Sequence, residues 1–88
     1  MTPDAEELRR FIIENFLYGD QTFQLKDEDS FSGKGIIDST GVLELVAFVE
    51  GRFGISIEDE EMIPENLDSL AKLTRYVARK QQDGSRAG

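Results

Sequence analysis

Three stretches of this 88-residue chain place apolar residues at helical spacing, and that periodicity restricts the fold more than any other feature. Leu8, Phe11, Ile12 and Phe16 fall on one stripe, Val42, Leu45, Val46, Val49 and Phe53 on a second, and Leu70, Leu73, Tyr76 and Val77 on a third. The expected fold is all-α: a small up-and-down four-helix bundle of three main helices plus one short one, with a long first loop.

Local signals set the expected boundaries. Thr2 reads as an N-cap ahead of Pro3 at the first helical position, with acids in the first turn, and Gly19 closes a helix spanning Pro3 to Leu17. Residues 18 to 38 lack sustained periodicity; Phe23, Leu25, Phe31, Ile36 and Ile37 are the side chains that would tether so long a loop. The second helix runs from Ser39 to about Arg52 and stops at Gly54 in a left-handed conformation. Gly41 in its first turn costs about 1 kcal/mol of helix propensity relative to alanine, so this helix must draw its stability from packing. A short third helix is expected over Asp59 to Ile63, with Pro64 as its breaker. Asp68 is expected to cap the fourth, with Ser69 in the first turn behind it and Lys72, Arg75, Arg79 and Lys80 on a basic face. Residues 1–82 form the expected domain. Residues 83–88 have nothing apolar to bury and read as a disordered tail.

Composition narrows the chemistry. Without cysteine the chain has no disulfide, thiolate metal site or thiol nucleophile, and without histidine it lacks the usual general base, so an enzyme is not expected. The acidic runs Asp27-Glu28-Asp29 and Glu58 to Glu61 lack the alternating oxygen ligands of a calcium loop, and no metal is expected. Residues 39 to 66 hold seven acids and one base, a net of −6, within a chain of net −8. Such a surface repels nucleic acid and attracts basic protein surfaces. No apolar run approaches a membrane span, and the opening Met1-Thr2-Pro3-Asp4-Ala5-Glu6-Glu7 is unlike a secretory signal; a cytoplasmic monomer is expected, with no membrane partner.

The candidate functional residue is Ser39. Gly35-Ile36-Ile37-Asp38-Ser39-Thr40 runs into the second helix, which places the Ser39 hydroxyl at a cap position beside Asp38, exposed and open to modification. The order Asp38-Ser39, Glu44-Leu45-Val46 and Phe53-Gly54-Ile55, followed by the acidic stretch and the entry Asn66-Leu67-Asp68-Ser69-Leu70, resembles the acyl and peptidyl carrier proteins over roughly residues 5 to 80. That resemblance implies a 4′-phosphopantetheine arm, drawn from coenzyme A by a phosphopantetheinyl transferase, attached to Ser39 with Asp38 as the flanking motif residue. The arm's thiol would hold an acyl or aminoacyl group as a thioester. It also implies a docking face built from Thr40, Val42, Leu43, Glu44, Ala47, Glu50, Met62 and Ile63, read by activating ligases, synthases or transferases.

Thr40 and Gly41 after the serine depart from the housekeeping fatty-acid pattern and favour a free-standing carrier of a specialised pathway, with an aminoacyl or peptidyl carrier and a housekeeping fatty-acid carrier as the other cargo classes. The rival function is a helical interaction module that is never modified. A literal Asp-Ser-Leu, at Asp68-Ser69-Leu70, opens a basic helix without the Glu-Leu-Val step and is not expected to be the attachment site.

Overall fold

The computed structural model describes residues 3–18 and 24–87. Four α-helices are present, α1 Pro3–Phe16, α2 Ser39–Phe53, α3 Pro64–Leu67 and α4 Leu70–Ala87, with a single 3-10 turn at Asp59–Glu61 and no strand among the described residues. The all-α bundle of three long helices and one short helix is therefore the observed fold. The Thr2 cap, the Gly19 stop and the tether Phe23 lie outside the described residues.

The last helix organises the others, touching α1, α2 and α3. Its stripe of Leu70, Leu73, Tyr76 and Val77 is buried against Leu8 and Ile12 of α1 and Leu45 and Val49 of α2. Burial of each such side chain favours folding by about 1.5–3 kcal/mol, which is why the periodic positions, rather than helix propensity, decide where the chain becomes ordered. The long first loop joins the same core through Leu25, Phe31, Ile36 and Ile37. Helices α1 and α2 meet through aromatic rings: Phe11 stacks on Phe48 at 3.9 Å between centroids, with Phe16 and Phe53 edge-on to that pair. Arg52 of α2 clasps Glu7 of α1 through two donors.

Three boundaries differ from the sequence expectation. Helix α1 ends one residue earlier, and the chain leaves through Tyr18 at φ 54°, a left-handed turn taken by a non-glycine residue. The segment expected as one helix over Asp59 to Ile63 is instead the 3-10 turn followed by α3, because Pro64 starts a helix rather than breaking one. At the first helical position proline's fixed φ is preorganised and its missing N–H is not needed. Finally, the α4 backbone continues to Ala87, past Gln82 where the sequence loses its apolar stripe. Extending an existing helix adds one hydrogen bond per residue without a new nucleus, so an apolar face is not required for each further turn.

Candidate functional site

Ser39 is the first residue of α2, and the cap is its neighbour. Asp38 is extended (φ −97°, ψ −176°) and its Oδ1 accepts from the Gly41 amide at 2.7 Å. This corrects the cap assignment made from sequence. With Asp38 satisfying the orphan amide, the Ser39 hydroxyl is exposed and makes no hydrogen bond within the described residues. Capping of this kind stabilises a helix by about 1 kcal/mol, so the aspartate holds the helix end without drawing on the serine oxygen.

The residue that seats this end is Gly41. A Cβ there would lie 2.8 Å from Phe16 Cε1, 3.1 Å from Ile37 Cγ2 and 3.3 Å from Asp38 Oδ1. The first turn of α2 thus rests directly on the Phe16 ring at the end of α1, and any side chain at position 41 would crowd that contact. Sequence reasoning registered Gly41 as a cost in propensity and missed the close approach; a glycine in the first turn of an otherwise well-patterned helix was the signal.

Along α2 the two faces separate cleanly. Gly41, Leu45 and Val49, four residues apart, are buried, whereas Ser39, Thr40, Leu43, Glu44 and Ala47 are exposed, Leu43 at 61%. Val42 is half-buried and turned to the bundle's side cleft. Glu50 works inside the fold, where its Oε2 accepts from the Ile57 amide at 2.8 Å and fixes the chain beyond the Gly54 stop, whose φ is 67°. Met62 is half-buried and Ile63 is 41% exposed. The cleft, about 140 Å³, is walled by Phe31, Ile37, Val42, Leu45, Met62 and Ile63, among others, with Ser32 and Asp68 supplying its polar side. Ile37 and Val42 flank Ser39 in sequence, so this cleft opens beside the candidate attachment point.

The Asp68-Ser69 pair has the opposite arrangement. Ser69, 3% exposed, is the cap of α4: its Oγ accepts from the Lys72 amide at 3.1 Å and its carbonyl from the Leu73 amide at 2.9 Å. Asp68, expected to be that cap, instead faces the first loop, where its Oδ2 accepts from the Ser30 hydroxyl and its Oδ1 from the Ser32 amide at 2.9 Å.

The electrostatics follow from these contacts. Burial opposes ionisation of Asp68, but the donors on Ser30 and Ser32, with Lys72 nearby, together outweigh it and hold the carboxyl below its usual range. Glu61 is likewise held low, first by Lys80, whose Nζ lies 2.9 Å from Oε1, and then by the Glu58 amide. The Tyr76 phenol is pushed up to about 12 by burial and by the Glu61 charge. Among the described residues no group of three or more His, Cys, Asp or Glu side chains is placed to hold a metal, and no helix is long and apolar enough to cross a membrane.

No family model matches the chain. Among individual proteins, it is 33% identical over 74 residues to a D-alanyl carrier protein of Streptococcus suis (strain 05ZYH33), an alignment covering 84% of this chain and 91% of that protein. Similarity of that extent, over nearly the full length of both and on a bundle whose second helix opens with an exposed serine, shows that the chain belongs to the phosphopantetheine carrier protein family.

Proposed function

We propose that the protein is an acyl or aminoacyl carrier whose Ser39 bears a 4′-phosphopantetheine arm, and that its cargo is loaded by a separate activating ligase in a specialised cytoplasmic pathway. The observation that carries this reading is the exposed Ser39 hydroxyl, without a hydrogen bond among the described residues, at the first position of a helix capped by its neighbour. The residues fit the group. Nothing among the described residues must be broken or moved to reach the oxygen, and the positive end of the α2 dipole favours the negative charge of an attached phosphodiester. The arm supplies a thiol on which an acyl group is held as a thioester. The protein's own part is to hold Ser39 in place, present the arm to enzymes that supply the catalysis, and be recognised by them.

Two further points bear on cargo and partners. The relative is named for a D-alanyl group, a small aminoacyl cargo. A cleft of about 140 Å³ matches in size a cavity that takes a benzene-sized molecule. Both favour a short acyl or aminoacyl group. For partners, Thr40, Leu43, Glu44 and Ala47 form an exposed strip continuing from Ser39, an apolar centre edged by acid that suits a basic enzyme surface. Val42, Met62 and Ile63 border the cleft at its edge, and Glu50 contributes by bracing the end of α2.

Intact mass after incubation with coenzyme A and a phosphopantetheinyl transferase tests the proposal. The expected result is a gain of one phosphopantetheine group, mapped to Ser39 by peptide fragmentation. A chain that remains unmodified by several such transferases would leave an unmodified helical binding module as the better description.

A further inference from the structure

We infer that Asp68 is a positioning residue for modification of Ser39: it clamps the loop that delivers the serine to the start of α2. This rests on the reading of Ser39 as the attachment site.

Asp68 stands between α3 and α4 and takes three donors from residues 30–32: the Ser30 hydroxyl on Oδ2, the Ser32 amide on Oδ1 and the Phe31 amide on its carbonyl at 2.8 Å. One turn further along, the Ala71 amide donates to the Asp27 carbonyl at 2.8 Å. The loop is therefore stitched to the rigid α3–α4 junction along residues 27–32. From the clamped segment the restraint passes on. The Phe31 carbonyl accepts from the amides of Ile36, at 2.8 Å, and Ile37, at 3.3 Å, after the chain has turned through Gly35 at φ 67°. Phe31, Ile36 and Ile37 are all buried. Ile37 also touches the Gly41 seat, and the next residues are the cap Asp38 and then Ser39.

The carboxylate is suited to this work because two loop donors converge on it from one side, and a charged acceptor makes stronger bonds than a neutral one. Its effect on reaction would come through placement. A transfer enzyme docked on α2 must align the Ser39 oxygen with a phosphorus atom, and a displacement of about 1 Å can cost on the order of 10²-fold in rate.

The test compares wild type, Asp68→Ala, Asp68→Asn and Ser69→Ala as substrates of a phosphopantetheinyl transferase, at a temperature well below every melting midpoint. Ser69→Ala is the control because it removes a cap bond at the adjacent position without touching the loop. The docking strip on α2 is unaltered in all of them, so KM should stay within about twofold. For Asp68→Ala we expect kcat to fall by about tenfold or more, with faster amide hydrogen exchange at Ile36 and Ile37. Asp68→Asn keeps an acceptor for the Ser32 amide and should recover most of the loss. Ser69→Ala should load like wild type.

An unchanged kcat in folded Asp68→Ala, or an equal fall in Ser69→Ala, overturns the inference. If Asp68→Ala does not fold, Ser30→Ala, which removes one of the two donors to the carboxylate together with the acceptor of the Gly33 amide in the same loop, should lower kcat in the same direction, and no change there overturns it as well. Wild type that takes no arm overturns the reading of Ser39 and this inference with it, whereas normal wild-type loading with indifferent variants overturns the clamp alone.

Discussion

Two of the chain's Asp-Ser dipeptides, at 38–39 and 68–69, stand at the start of a helix, and the two do opposite things. At 38–39 the aspartate caps and the serine is the first helical residue, exposed and without a hydrogen bond among the described residues. At 68–69 the serine caps, is buried, and accepts from the Lys72 amide, while the aspartate turns away to the loop. The pairs differ by one residue in where the helix begins. Since only one of the two side chains can satisfy the orphan amide at N2 or N3, that single step of register decides which serine keeps a free hydroxyl.

The largest expected effect separates the serines by chemistry. Ser39→Ala should abolish phosphopantetheine loading, and Ser69→Ala should leave it intact, as read by intact mass. Loading at Ser69, or loading that survives loss of Ser39, would break the comparison. Stability should order them the other way. Ser69→Ala loses a buried cap and should cost about 1 kcal/mol, as should Asp38→Ala, whereas Ser39→Ala should stay within about 0.5 kcal/mol in denaturant unfolding.

Two glycines of α2 sharpen the contrast further. Gly41→Ala forces its Cβ against Phe16, Ile37 and Asp38, and overpacking of about 1–3 kcal/mol outweighs about 1 kcal/mol gained in propensity. A net loss near 1 kcal/mol is expected, read as a lower denaturant midpoint. Gly51 has nothing within 4 Å of its would-be Cβ, and Gly51→Ala should stabilise by roughly 0.5–1 kcal/mol.

The smallest effect is with acid. The folded-state pKa of Asp68 is depressed, so its contribution is present above the unfolded value and is lost as pH falls through the folded one. Glu61 behaves alike. The melting midpoint should drop below about pH 4, the ordinary carboxylate range, and Asp68→Asn should flatten part of that drop. An acid profile unchanged in Asp68→Asn would mean that the Ser30 and Ser32 contacts do not favour the ionised form.

What the sequence disclosed was the periodic part. Leu8, Ile12, Leu45, Val49, Leu73 and Val77 all lie in the core that their spacing predicts, and Gly54 takes the left-handed stop assigned to it. Ser39 stands at the helix start, as the motif order suggested. What remained hidden depended on residues distant in sequence. Which member of each Asp-Ser pair caps cannot be read from composition, because both side chains are good caps and the loop contact that claims Asp68 comes from Ser30, 38 positions away. The Gly41 seat needed the position of Phe16 on another helix, and the bracing by Glu50 needed the path of the chain after Gly54. Pro64 illustrates a local ambiguity, since the same residue ends helices and begins them.

The division of α2 into two faces has a consequence for change over time and by design. Positions that hold the helix to the bundle, Gly41, Leu45 and Val49, share no side chain with the exposed positions Thr40, Leu43, Glu44 and Ala47, the proposed docking strip. Exposed substitutions away from caps and packing usually shift stability by no more than about 0.5 kcal/mol. On the proposed docking role, these letters can therefore be rewritten together to redirect the protein from one enzyme to another, while the fold that holds Ser39 is copied unaltered.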